Sequence, residues 1–295
     1  MVHTFEDDFY EKHRTEAIAM ERLTFSPHVI DVYAFCGQSI LSELADGTSL
    51  GKLSDKSSRF ERLKIALDVA EGLADVHGID GIDNTTLVHF DINPGNVISI
   101  HGTLKLNDFN VAKLLKWNTK TKSTCGFPHH FPNPQWRSPE EALEMDNLTE
   151  KVDVYSMGNI FYRLIAGKSP WGKLDNNPTK DEINAMVKSG KIPHLPAKVT
   201  DTTDPCIIAI REAMLGCFRF DPSKRPSARS IAKGLRKAYE EILRDYKLEK
   251  HEVGHHKPGP HNKHTQKVRR VQSKSDNTRA QKSRRIQNKK NIKRL

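Results

Sequence analysis

Apolar residues recur at helical spacing in several stretches of this chain, with shorter apolar runs between them. Phe60, Leu63, Leu67, Ala70, Ala74 and His77 fall on one face of a long amphipathic helix. Thr149 to Ala166 is apolar nearly all round, which predicts a helix buried at the centre of a lobe. Asp204 to Phe218 and Ala228 to Tyr246 predict further amphipathic helices. Nearer the start, Thr15 to Leu23 predicts a shorter helix, with Ala17, Ile18 and Met20 as its apolar residues and Ser26-Pro27-His28 as its breaker. Val29 to Phe35 and Gln38 to Leu44 read as strands, with Gly37 turning between them. Val97-Ile98 and Leu104 to Leu106 are shorter strand-like runs.

Past Leu248 the pattern stops. From His251 to Leu295 there is no aromatic residue, and Lys, Arg, His, Asn, Gln and Ser dominate. Such a segment cannot bury enough apolar surface to offset the entropy of ordering, so a disordered basic tail is expected over 249–295. The tail also explains the charge. Of a net +10, His251 to Leu295 carries +12, from fourteen Lys and Arg against two acidic residues, which leaves −2 for the rest. A sequence pI of 9.3 is therefore no sign of a nucleic-acid-binding fold. Arg269-Arg270, Lys282-Ser283-Arg284-Arg285, Lys289-Lys290 and Lys293-Arg294 would suit an import receptor or nonspecific contact with a polyanion.

With 36% hydrophobic residues in 295, the remainder can bury a sizeable core. No run is apolar and long enough to span a bilayer. Met1 to Phe9 lacks the order of a signal peptide. The four cysteines form no C-x-x-C, and Cys36 and Cys217 in their apolar runs read as core thiols. Reduced, intracellular residence is expected, in the cytoplasm, with the nucleus as the alternative.

The chemistry is concentrated in His89-Phe90-Asp91-Ile92-Asn93-Pro94-Gly95-Asn96 and Asp108-Phe109-Asn110. The first reads H-x-D-x-x-x-x-N; the second places an acidic residue at the end of an apolar strand. Phosphoryl transfer needs such a set. Asp91 would orient and deprotonate an attacking hydroxyl, while Asn96 and Asp108 would hold the metal ions that bridge the phosphates. Asp91 also suits a capping or turn role, but His89 before it and Asn96 after it favour the catalytic reading.

These motifs resemble the catalytic loop and D-F-G of the protein kinase family. Ser138-Pro139-Glu140 resembles its A-P-E, Asp153 to Gly158 its D-x-W-S-x-G, and Cys217 to Ser227 its C-W-x-x-D-P-x-x-R-P. The resemblance runs from about Glu16 to Leu243 and implies an α+β, two-lobe fold with a mostly α-helical large lobe. Residues 1–45 would form part of the small lobe and 46–248 the large lobe. ATP and Mg2+ are the implied cofactors, a protein the substrate, and a monomer the expected state. Backbone groups of Glu43 and Ala45 would take the adenine edge, Ser42 would be the gatekeeper, and Ile98 and Asp108 would contact the nucleotide. Glu16 matches the glutamate of the regulatory helix. Met20, His89 and Phe109 would stack together, Asp153 would hold the catalytic loop, and Glu140 and Arg225 would form a buried ion pair.

The departures are equally specific. No G-x-G-x-x-G or strand lysine precedes Glu16, so an incomplete small lobe is expected, with Glu16 lacking a partner and simply solvated. Phe90 stands where the family has arginine, which puts control through activation-segment phosphorylation in doubt. Asn93 replaces a lysine near the transferred phosphate. Asn110 replaces glycine, and asparagine tolerates a left-handed backbone. A protein kinase transferring the ATP γ-phosphate to a hydroxyl, Ser/Thr rather than Tyr, is the leading reading. A catalytically impaired kinase-like binding module is the alternative. Small-molecule phosphotransferases share the loop motif, but Ser138-Pro139-Glu140 and Asp221 to Arg225 set them aside.

Overall fold

Reciprocal capping fixes where several helices of this chain begin. Ser58 accepts from the Glu61 N–H while Glu61 accepts from the Ser58 N–H, which starts a helix at Arg59. Ser138 with Glu141, and Thr179 with Glu182, repeat the device.

The computed structural model describes residues 7–36, 39–46, 50–53, 56–82, 84–129, 136–172 and 178–255. Helix α1 (Asp7–Arg22) leads into a hairpin of β1 (Val32–Cys36) and β2 (Ser39–Ser42). Helices α2 (Leu50–Leu53) and α3 (Arg59–His77) follow, then β3 (Leu87–Val88) and a 3-10 turn, Pro94–Asn96. The strands β4 (Val97–Ile100), β5 (Thr103–Leu106), β6 (Lys113–Leu114), β7 (Trp117–Asn118) and β8 (Ser123–Thr124) come next. The rest is helical: α4 (Pro139–Ala142), α5 (Lys151–Ala166), α6 (Lys180–Lys188), α7 (Ala197–Thr200), α8 (Pro205–Cys217) and α9 (Ala228–His255). All strand pairs are antiparallel and two-stranded: β1 with β2, β3 with β6, β4 with β5, and β7 with β8.

The chain divides into two units, Met1–Arg244 and Asp245–Leu295. Helix α9, which starts in the first unit at Ala228, is helical to His255, past the end expected at Tyr246. The basic clusters of the tail fall outside the described residues. The first unit holds the main core. Residues of α3 and α5, including Leu63, Leu67, Leu73, Val154, Ile160 and Phe161, are buried there with Ile210, Met214 and Cys217 of α8. A second cluster joins Val88, Phe90, Phe127, Leu148 and Val152. Among the described residues, no helix is long and apolar enough to cross a membrane.

Several expectations are corrected. Helix α1 starts at Asp7, ahead of the expected Thr15, because its first half is mostly charged, and its adjacent Phe9 and Tyr10 give no helical repeat for periodicity to show. The paired strands are shorter than expected, and Val29 makes only a parallel bridge to Leu106. The expected turn at Gly37 falls outside the described residues. Cys36 is exposed, not a core thiol, because β1 presents Tyr33, Phe35 and Cys36 outward; Cys217 is buried as expected.

Candidate active site

The loop from His89 to Asn96 is held from below by one carboxylate. Asp153, buried on α5, accepts the Phe90 N–H at one oxygen and the His89 N–H at the other, each at 2.8 Å. His77, at the end of α3, donates from Nε2 to the same carboxylate at 3.0 Å. These bonds let Phe90 sit in the left-handed region, at φ 65°, where a bulky residue needs outside support. The buried His89 ring has Nε2 3.1 Å from the Asn107 carbonyl, so Nε2 carries the proton and Nδ1 accepts from the Asp91 N–H. Burial pushes its pKa below the usual range and keeps the ring neutral. It stacks on Phe109 with ring centroids 4.5 Å apart.

This support aims the Asp91 carboxylate outward, a third exposed, with both oxygens engaged. Asn96 donates to Oδ2 at 2.9 Å and to the Asp91 carbonyl at 2.9 Å. Arg137 donates to Oδ1 at 2.9 Å. Asn93 turns inward: its oxygen caps the Gly95 N–H at 2.8 Å and its amide donates to the Asp91 carbonyl at 3.1 Å. Both Asn96 amide protons are thus committed to Asp91, and its Oδ1 is the side-chain atom that could serve a cation as ligand.

Asp108 follows β5 in the left-handed region, at φ 67°. The left-handed position of this turn is thus Asp108 and not Asn110, so the asparagine at 110 meets no backbone demand for glycine. Glu16 of α1 lies within electrostatic reach of Asp108 and of the Phe109 backbone N–H. Burial, and then the Asp108 charge, raise the Glu16 carboxyl above its usual range, with His13 at 3.8 Å opposing. Glu16 is therefore not the solvated side chain expected from the sequence; its side chain is only 15% exposed on α1. Met20, one turn on, is buried in the same core as Phe109.

The segment after β2 lies along the β4–β5 hairpin. The Glu43 N–H donates to the Asp31 carbonyl at 3.0 Å, and the Asp46 N–H to the Ser99 carbonyl at 2.9 Å. Ser42 and Ala45 are half-buried on this segment, and Ile98 is half-buried on β4 against the main core. The Glu43 side chain faces away from solvent, accepting from the Asp31 N–H at 2.9 Å and from Lys105 at 2.7 Å. Burial works to raise this carboxyl, but those two hydrogen bonds prevail and hold it below the usual range. Further along the chain, the buried Glu140 meets Arg225.

Two cations went unread in the sequence. Lys105 looks like one more outward residue of an alternating strand, yet it is buried on Glu43. Arg137 stands beside Ser138-Pro139-Glu140, and only the fold brings it to Asp91.

A family model described as "Protein kinase domain" matches residues 2–235. The chain is 29% identical over 200 residues to the mitogen-activated protein kinase kinase kinase MCK1 of Pyricularia oryzae, covering 65% of this chain and 12% of that one. It is 32% identical over 207 residues to the serine/threonine-protein kinase CTR1 of Arabidopsis thaliana, covering 67% and 22%. With the serine/threonine-protein kinase PknA of Corynebacterium glutamicum it shares 33% over 233 residues, covering 74% and 44%. In each case the match spans less than half of the relative.

Proposed function

The chain belongs to the protein kinase family, and on that premise we propose that it transfers the γ-phosphate of ATP to a serine or threonine hydroxyl of a protein substrate. The observation that carries this reading is the Asp91 carboxylate. Asn96 and Arg137 hold its two oxygens, and a third of its side chain is open to solvent. An attacking hydroxyl that donates to this carboxylate is oriented for transfer and gives up its proton there as the new bond forms. Asn96 and Asp108 offer the hard oxygen donors that suit Mg2+, and the closeness of two carboxylates, Asp108 and Glu16, fits a site that takes a cation. Bound Mg2+–ATP would supply the phosphoryl group and offset its charge. The serine/threonine preference rests on the names of the relatives.

The test is phosphotransfer by the full chain from radiolabelled ATP to a generic protein substrate, with the acceptor residue identified by mass spectrometry. Transfer to serine or threonine that is lost in Asp91→Asn is the expected result. Nucleotide binding without transfer would instead assign a kinase-like binding module.

A further inference from the structure

Asp91, Asp108 and Glu16 give the site three carboxylates, and a phosphoryl group arriving there adds more negative charge. The loop itself does not balance this. Its position 93 is a neutral asparagine whose oxygen and amide are both used inside the loop. The balancing cation comes from the other side, from Arg137 at the head of α4.

Arg137 is built in rather than draped over the surface. It is buried, with one nitrogen donating to the Phe90 carbonyl at 2.6 Å and the other to Asp91 Oδ1 at 2.9 Å. Its guanidinium lies over the Phe90 ring, 5.6 Å from the centroid, and 3.6 Å from Glu141. Glu141 is in turn tied to Ser138 by the cap of α4. The ring beneath it and a forked donor set hold the guanidinium in one place, which a lysine ammonium could not match.

We propose that Arg137 is a positioning residue for phosphoryl transfer: it clamps the Asp91 carboxylate and supplies the fixed positive charge beside it that position 93 lacks. The inference rests on the transfer reading above. No bond to Arg137 forms or breaks; the bond between the γ-phosphorus and the bridging oxygen of ATP breaks, the phosphoryl group passes to the hydroxyl oxygen, the hydroxyl proton goes to Asp91, and ADP leaves. A corollary is that the base is coupled to the Ser138-Pro139-Glu140 segment, so displacing that segment disarms Asp91.

The experiment compares the full-length chain with Arg137→Gln, Arg137→Lys and Arg137→Gln/Asn93→Lys. Glutamine can still donate to the Phe90 carbonyl but carries no charge. R137Q is expected to lower kcat about a hundredfold, with KM for ATP changed less than about threefold. R137K is expected to keep more activity than R137Q. The double variant is expected to recover at least tenfold, because the position-93 side chain already reaches the Asp91 backbone. A second readout needs no turnover: the gain in Mg2+–ADP affinity on adding aluminium fluoride, a mimic of the phosphoryl group in flight, measured by calorimetry. That gain should disappear in R137Q and return with Asn93→Lys. Turnover of the unsubstituted chain tests the transfer reading by itself, whereas the fluoride gain and its loss test Arg137. R137Q with near-normal kcat and fluoride gain would overturn the proposal. So would losses that track melting temperature and are not rescued by Asn93→Lys, since those mark a purely structural tether.

Discussion

Arg225 donates to both carboxylate oxygens of Glu140, at 2.7 and 3.1 Å, across 85 positions of chain. The same guanidinium donates to the Arg219 and Lys151 carbonyls and lies over the Tyr155 ring, 5.1 Å from its centroid. One side chain thereby joins the segment that carries Arg137 to the start of α5 and the loop before α9. The Arg225 side chain has 0% exposure and that of Glu140 5%, so neither charge has water to fall back on.

Glu140→Gln is therefore expected to destabilise the fold by about 3–5 kcal/mol, the cost of leaving a buried guanidinium without its counter-charge. Urea denaturation followed by circular dichroism measures it. A change below about 1 kcal/mol would mean that the backbone carbonyls suffice for Arg225.

Asp153→Asn tests the scaffold under the catalytic loop. The carboxylate accepts from two backbone N–H groups and from His77, and an amide turns one acceptor into a donor facing other donors. Losing charge-assisted bonds of this kind costs about 2–3 kcal/mol. Because Phe90 relies on them to hold its left-handed backbone, turnover should fall by more than the loss of folded protein explains. Equal turnover per folded molecule would show that the loop holds its shape without Asp153.

Much of the site could be read from the sequence, for a physical reason. One group that holds Asp91 lies within the same short loop, where spacing alone brings Asn96 onto the carboxylate. The main helices were equally legible because their apolar faces repeat. What stayed hidden depends on distant partners. Arg137 reaches Asp91 across 46 positions, and a single arginine has no period to betray it. Glu16 reads as solvated because it is a lone acidic position on a mostly polar stretch, and only the fold buries it, with its side chain 15% exposed. Cys36 failed in the opposite direction: an apolar run predicts burial only when something covers it, and β1 faces outward there.

Stability should fall from pH 5 to pH 8 through Glu141. Burial raises its carboxyl to about 7 from the usual 4.5, against the opposing pull of Arg137 and the bonds from Ser138. The unfolded chain releases this proton near pH 4.5 and the folded chain only near 7. The group's stabilising effect is thus complete below pH 4.5 and is lost as pH rises through 7, a swing of about 3 kcal/mol. Glu141→Gln should flatten this part of the stability profile. Chemical melts at several pH values, on the chain and the variant, decide it; parallel profiles would mean that Glu141 is ionised in the fold throughout.

Phe90 occupies the place where an arginine would meet a phosphate, and it meets Phe127 instead. The two rings pack edge to face with centroids 4.9 Å apart, closed in by Val88, Leu148 and Val152. Phe127 also exchanges backbone hydrogen bonds with Leu148, at 2.8 and 3.0 Å, which ties this stretch down beside the catalytic loop. Apolar burial and a backbone bridge hold this contact together. Phe127→Ala should cost about 3–4 kcal/mol by opening a cavity against Phe90. It should also lower turnover, since Phe90 is the platform on which Arg137 stacks. Exhaustive phosphatase treatment of the unsubstituted chain should leave its rate within about twofold, because this packing is made by apolar side chains. A tenfold or greater drop on dephosphorylation would show that the segment is held by phosphate after all, and that the Phe90–Phe127 contact is secondary.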